Sequence, residues 1–481
     1  MPASQANSFV SAGTVRGKDA DLTYDPENGG TLTVTVSEGE ENIHNRNIIA
    51  IIDDKKYRQD AKFPIQKILL LTNDEASAPE SPIKVLNFEA VNATNLPQSF
   101  VDANSLSPRT AHLSSVKIEE PAFHLYVIIS VGSGTGQAQQ YFDDVIKPAF
   151  SAIGIQESGY DVHTTSSSTS ITDFIGAVVL PRANEGRSQT ILLLSGDGGV
   201  VDTLNVLLSS SRSLDYVKPV IGLVAMGTGN ALANSTGLNS DLTRGLRHFF
   251  RGQTCSLPTF TATFSPGSEY LVDEGRRTEP LATSSDGRGT VYGAVVCSWA
   301  LHASLVADSD TTEYRKYGTK RFQMAAKELL APSDGSAPHV YKGKITLTKR
   351  NEHGEGLQQA LEAQEFMYIL ATLVSNLEET LIISPHSRPL DGQIRLLHFG
   401  PISSADVMRI LGLAFQGGGH VDDEAVSYDS IDGMRIDFDD REQDGRWRRV
   451  CVDGKIIRVS RGGWVEMSKN DSTADVLDII A

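Results

Sequence analysis

The sequence predicts an α/β fold with a large β complement: a parallel sheet over residues 121–258, a β-rich, sandwich-like domain over 259–481 and a β-rich module over 1–120. Residues 121–258 alternate short apolar runs with stretches of helical periodicity, as strands and crossover helices do in a parallel sheet. Beyond Pro258 the pattern changes to period-two runs separated by polar turns. Two glycine-rich turns, Ser195-Gly196-Asp197-Gly198-Gly199 and Gly227-Thr228-Gly229-Asn230, each end an apolar run and open a helical segment. They lie about one βαβ unit apart, roughly 30 residues, which puts both on one rim of the sheet.

In the first module, 31–36, 47–52, 67–71 and 83–88 read as strands between polar turns, after a frayed beginning. The module has room for a regulatory or membrane-targeting role. A continuous apolar run at 122–130 then opens the α/β part, followed by Gly132-Ser133-Gly134-Thr135-Gly136 and a helix over 141–150. A strand at 160–165 precedes a helix on which Ile171, Phe174, Ile175, Val178 and Val179 share one face. After the strand 190–194, Val200, Val201, Leu204, Leu207 and Leu208 turn inward on the next helix, with Asp202 and Asn205 elsewhere, and the strand 219–224 follows. The β-rich half carries runs at 259–264, 290–297, 343–348, 366–374, 394–399, 434–438 and 447–452, helices at 313–330 and 404–413, and polar loops at 265–289 and 349–359.

Composition narrows the class. With 481 residues, 40% hydrophobic and 21% charged, the chain is long enough for two or three domains with their own cores. A formal net charge of −17 argues against a nucleic-acid partner, which needs clustered Lys and Arg. Three cysteines, Cys255, Cys297 and Cys451, form neither a C-x-x-C pair nor a disulfide framework, so a reducing cytoplasm is expected. Met1-Pro2-Ala3-Ser4-Gln5 lacks the basic and apolar segments of a signal peptide, and no apolar run reaches the roughly 20 residues of a membrane span.

Glycine turns at strand ends let backbone N–H groups approach an anion, and the helix that follows offers its positive end. The three turns together therefore point to a nucleotide site. Asp197, between glycines, is placed to act as a base or magnesium contact, or else as a turn or helix-cap aspartate. Asp202 and Asn205 are equally compatible with a part in the site and with a plain role, Asp202 offsetting the helix dipole and Asn205 simply solvated.

Ser195-Gly196-Asp197-Gly198 with Asp202 and Asn205 resembles the first signature of the diacylglycerol kinase catalytic superfamily, and Gly227-Thr228-Gly229-Asn230-Ala231-Leu232-Ala233 its second. The Ser before Gly-Asp-Gly and the Asn-Ala-Leu-Ala are most like sphingosine kinases and ceramide kinases, and the resemblance extends over about 121–465. It implies an NAD kinase/phosphofructokinase-like nucleotide-binding domain and transfer of the ATP γ-phosphoryl group, with magnesium, to a hydroxyl of a sphingoid base, diacylglycerol or ceramide. The residues it implies for the nucleotide are Ser133, Gly134, Gly136, Thr165, Ser195, Gly196, Gly198, Gly227, Thr228, Gly229, Asn230, Arg315, Arg321, Asp453 and Gly454. Asp197 is implied as the catalytic base and metal contact, and Asp308 or Asp310 as the acid for the lipid headgroup, with Ser304 nearby.

Two of the motifs depart from the family: Ser130-Val131 replaces an Asn-Pro, and Lys455 replaces the acid of Asp-Gly-Glu. They leave a second reading, a non-catalytic nucleotide- or lipid-binding module. The expected partners are a lipid substrate and, transiently, a membrane surface, with room for a homodimer.

Overall fold

Strands Ser188–Ser195 and Val220–Ala225 are buried almost along their whole length, as apolar strands covered on both faces must be. Our computed structural model describes residues 8–15, 17–26, 30–37, 39–53, 65–73, 86–94, 96–115, 123–350, 356–471 and 474–481. The sheet order is Thr254–Ser256, Asp478–Ile480, Val220–Ala225, Ser188–Ser195, Phe123–Ile129, Asp161–Thr164. Neighbours are parallel except the Thr254–Ser256 edge. The chain steps outward to Asp161–Thr164 before it returns to Ser188–Ser195, so the strand order reverses beside Phe123–Ile129. A crevice opens at such a reversal, outside the carboxyl ends of the strands.

The last strand was not foreseen in this sheet. Asp478–Ile480 lies beside Val220–Ala225, with Ile479 and Ile480 buried and Lys218 paired to Asp475 and Asp478 at 2.9 and 2.6 Å. Three residues are too few for a periodic signal in sequence.

The remainder of 259–481 is built on two large antiparallel sheets packed face to face, with a short two-stranded ladder of Tyr341–Lys342 and Glu365–Phe366 beside them. One has six strands: Gly289–Gly293, Phe260–Phe264, Trp464–Lys469, Gly433–Asp437, Lys344–Arg350 and Gly356–Ala360. The other has eight: Arg277–Pro280, Glu269–Val272, Lys455–Arg458, Arg449–Val452, Val296–Ala300, Tyr368–Thr372, Ile394–Phe399 and Ser427–Ile431. Phe260, Phe264 and Ile436 of the first meet Trp299, Ile369 and Leu396 of the second. The strand expected at 290–297 is two strands, Gly289–Gly293 and Val296–Ala300, one in each sheet. The chain changes sheet at Ala294-Val295, whose N–H groups bond a distant carboxylate rather than a neighbouring strand. The helix expected over 313–330 breaks at Gly318 (φ 56°) into Thr312–Arg315 and Lys320–Leu330. Within the expected loop 265–289, Glu269–Val272 and Arg277–Pro280 form a hairpin. In the other expected loop, 351–355 lies outside the described residues and Gly356–Ala360 pairs with Lys344–Arg350.

The first module is a seven-stranded antiparallel sheet, in the order Gly39–His44, Thr31–Val36, Lys18–Asp25, Phe9–Val15, Leu86–Thr94, Ile65–Asn73, Ile48–Asp53. The frayed beginning expected of it falls on residues 1–7, which lie outside the described residues, and Phe9–Val15 is held by strands on both sides. Of the strand expected at 83–88, residues 83–85 lie outside the described set and the strand runs Leu86–Thr94. Leu22, Tyr24, Leu32, Ile48 and Leu70 close on Phe100 of the helix Gln98–Asn104. Ile49, Ala50, Leu69 and Leu71 point the other way, into one core with Val127, Phe150 and Phe249 of the α/β part. No helix among the described residues is long and apolar enough to cross a membrane.

Candidate active site

The turns after Phe123–Ile129, Asp161–Thr164, Ser188–Ser195 and Val220–Ala225 line one cavity of about 1160 Å³, which the sandwich closes from the other side. Glycine is required where two of these turns touch. A Cβ on Gly196 would fall 2.8 Å from Gly227 Cα, and one on Gly227 2.6 Å from Gly196 Cα, so the backbones lie against each other. Gly134, at φ 53°, presses the third turn onto the Met226 carbonyl, where a Cβ would stand at 2.3 Å. Gly132 and Gly198, by contrast, line the cavity with nothing within 4 Å of a Cβ, and leave space in which an anion can approach the backbone.

Hydroxyls and one amide fix the turns. Ser133 Oγ lies 2.8 Å from Ser130 Oγ and 3.3 Å from Ser195 Oγ, and Val131 N–H donates to Thr165 Oγ1 at 3.2 Å. Asn230, left-handed at φ 53°, brackets Gly227: its Oδ1 accepts from Gly227 N–H and its Nδ2 donates to Gly227 C=O, both at 2.8 Å.

Asp197 is half-buried, and its two oxygens accept from Ala231 N–H at 2.8 Å and Leu232 N–H at 2.9 Å. It thus caps the helix Ala231–Ser235 across from its own and ties the two signatures together. Burial raises its carboxyl above the ordinary range, against the pull of those two N–H groups. Asp453 and Gly454, both at positive φ, make the two-residue turn from Arg449–Val452 to Lys455–Arg458. The Asp453 carboxylate accepts from Ala294, Val295 and Val296 N–H at 2.5–3.2 Å, and burial raises it to about 7 despite them, with Asp197 adding to the rise.

Lys455 Nζ stands 2.7 Å from Asp202 Oδ1, so the departure from the family pattern supplies a cation that bridges the sandwich to the first turns of the helix Asp197–Ser209. Asn205, on the same helix, clamps Tyr292 through both backbone groups, donating from Nδ2 to its C=O at 2.8 Å and accepting its N–H on Oδ1 at 3.0 Å. This clamp was not legible from sequence, where Asn205 stood between function and solvation.

Of the sequence-predicted site residues, all line the cavity except Gly134, Gly136, Gly227 and Asp308. Asp308, on the helix Leu301–Ser309, turns to Arg449 at 2.6 Å and Arg446 at 3.0 Å, and Ser304 accepts from Tyr341 OH at 2.8 Å. Asp310, just past the helix end, does face the cavity. There Arg315 meets both its oxygens at 2.9 Å and Arg321 one at 3.3 Å. Burial pushes the Asp310 carboxyl up, but these two arginines hold it below the ordinary value. Beyond it the lining becomes apolar, with Leu305, Phe322, Leu381, Met408, Leu411 and Phe415.

Magnesium takes six oxygen ligands, with one or two protein carboxylates as a rule. Asp197 and Asp453 already accept backbone N–H groups on both oxygens, Asp202 is paired to Lys455, and Asp310 is paired to two arginines. Among the described residues no three metal-ligating side chains converge. These four carboxylates, Asp197 included, are engaged elsewhere and do not by themselves make a magnesium site.

Residues 124–262 match the family described as "Diacylglycerol kinase catalytic domain". The chain is 22% identical over 357 residues to Sphingosine kinase 1 of Arabidopsis thaliana, covering 66% of each chain. It is 26% identical over 206 residues to Sphingosine kinase 2 of the same plant, covering 42% of this chain and 36% of that one. A crystal structure of a diacylglycerol kinase from Bacillus anthracis str. Sterne superimposes with a TM-score of 0.47 at 12% identity, over 74% of this chain and 96% of that one. Yeast NADH kinase does so at 0.35 and 10%, over 75% and 84%. Both signatures meet at Asp197 inside the stretch 124–262 that matches the diacylglycerol kinase catalytic domain, and the relatives that the chain resembles over longer spans are sphingosine kinases.

Proposed function

We propose that the protein is an ATP-dependent lipid kinase that transfers the γ-phosphoryl group to a hydroxyl of a sphingoid base or a related lipid, diacylglycerol or ceramide. The observation that carries this reading is one cavity lined both by the glycine turns and by apolar side chains such as Leu305, Phe322 and Met408. Such transfer needs positioning and charge neutralisation more than covalent chemistry. The turns at Gly132 and Gly198 would hold phosphates on backbone N–H groups, with Lys455 beside them as a fixed positive charge. The lipid hydroxyl oxygen attacks the γ-phosphorus, its proton passes to an Asp197 oxygen, and the bond to the β-phosphate oxygen breaks to release ADP. A carboxyl raised by burial is the stronger base for that proton.

A sphingoid ammonium would find Asp310, at the cost of one of its two arginine partners. Met408 and Phe415, 48% and 42% exposed, stand on the cavity lining and give a membrane-resident lipid an apolar entry. The corresponding location is a cytoplasmic protein that touches membranes transiently. A binding module without catalysis is the second reading, favoured by the Lys455–Asp202 pair and by the two N–H groups already on Asp197.

Incubation with labelled ATP and a panel of long-chain bases, ceramide and diacylglycerol tests both. Transfer of label to lipid, lowered about 100-fold or more in Asp197→Asn, is expected. ATP binding without any labelled lipid would establish the module instead, and label on a water-soluble acceptor would overturn the lipid reading.

A further inference from the structure

On the cavity wall two polar side-chain atoms, His302 Nε2 and Tyr368 OH, have no hydrogen-bond partner among the described residues. His302 is 9% exposed and lines the cavity. Its Nδ1 is fixed by Ser298 Oγ at 2.7 Å, whereas Nε2 has no partner among the described residues and is not sealed off, so its exposed part opens on the cavity. Tyr368 is 3% exposed and lines the same wall, its ring edge-on to His302 at 5.9 Å. Its hydroxyl likewise has no partner and is not sealed. The wall is set by backbone strain: Ala300, at φ 64°, turns the strand Val296–Ala300 sharply into the helix Leu301–Ser309 and delivers Leu301 and His302 to the cavity.

A polar atom that opens on a cavity is completed there by an ordered water or by a group of the ligand, and a ligand that displaces the water without replacing its hydrogen bond loses about 1–3 kcal/mol. Burial pushes the imidazolium down to about 4, so the ring is neutral and offers an uncharged hydrogen bond. Leu301 and Leu305, its neighbours on the same helix, line the cavity with it. Neither His302 nor Tyr368 has a role in the phosphoryl transfer described above.

We propose that His302 Nε2 and Tyr368 OH recognise a second, uncharged polar group, a hydroxyl or amide, on the chain of the acceptor lipid, and so select hydroxylated long-chain lipids over plain ones. The proposal rests on the lipid-kinase reading. The imidazole and phenol act as specificity determinants: they hold the substrate and leave the reacting hydroxyl to Asp197.

The test compares two lipids of equal chain length, a long-chain 2-amino diol and the amino alcohol that lacks its second hydroxyl, by binding to the full protein and by kcat and KM for phosphorylation. Wild type is expected to bind the diol about 3- to 10-fold more tightly, with the difference in KM and little in kcat. Tyr368→Phe, which keeps the ring and its packing, and His302→Leu should each bring the preference to within about 2-fold. His302→Gln, which can still present a hydrogen-bonding atom near the Nε2 position, should retain it. Equal binding of the two lipids by a wild type that phosphorylates them would overturn this proposal alone, as would an unchanged preference in both Tyr368→Phe and His302→Leu. Failure of wild type to bind or phosphorylate either lipid would overturn the lipid-kinase reading and this proposal with it.

Discussion

Asp453 shows what burial does to a single acid in this cleft. Its folded-state pKa is about 7, whereas in an unfolded chain an aspartate titrates near 3.9. Between those pH values the folded protein keeps a proton that the unfolded chain has released, so the stability this group contributes falls as pH rises from about 4 to about 7 and is level above. Chemical denaturation of wild type and Asp453→Asn at pH 5 and pH 8 should therefore show a wild-type advantage that shrinks by about 1–3 kcal/mol toward the higher pH. A pH-independent difference between the two would contradict the assignment. Sequence placed Asp453 and Gly454 at the site through their motif. Their anchor at Ala294–Val296 stayed hidden because that stretch reads as one unbroken strand. Asp308 and Asp310 were indistinguishable for a similar reason: what separates them is where a helix stops, at Ser309.

The glycine turns can be dissected element by element, because their glycines do different things. Gly196→Ala would drive a Cβ into Gly227 and force the two signature turns apart, whereas Gly198→Ala meets nothing. We expect Gly196→Ala to lose about 1–3 kcal/mol of stability together with nucleotide affinity. Gly198→Ala should keep its melting temperature and lose affinity only, read by thermal denaturation and nucleotide titration. A fully stable Gly196→Ala would show that the turns do not rely on this contact. The turns, their flanking strands and the helix Asp197–Ser209 were legible from apolar runs and periodicity. The break at Gly318 and the hairpin inside 265–289 were not, since a lone glycine in a charged helix and short polar strands leave no apolar period to read.

The three parts of the molecule share cores rather than standing beside one another. Leu71 of the first sheet is fully buried with Val127 and Phe150 of the α/β part, so Leu71→Ala should cost about 2–5 kcal/mol and lower a single unfolding transition of the whole protein. An early, separate transition confined to part of the protein would show instead that the first module unfolds independently. The sandwich joins the α/β part in the same manner: Val200 and Leu204 pack with Val295, Leu301 and Tyr368 in one cluster. The changes of period from which three parts are expected are legible along the chain. The way the parts bury one another is not, because contacts between segments far apart in sequence leave no local pattern.

The returning strand Asp478–Ile480 also sets an order of events during synthesis. The ribosome will have emitted the whole sandwich before the residues that pair with Val220–Ala225 emerge. Until then the nascent nucleotide-site sheet carries an open edge of unpaired backbone groups beside its second signature, a natural docking place for a holdase chaperone and a weak point at which a chain released too early would aggregate.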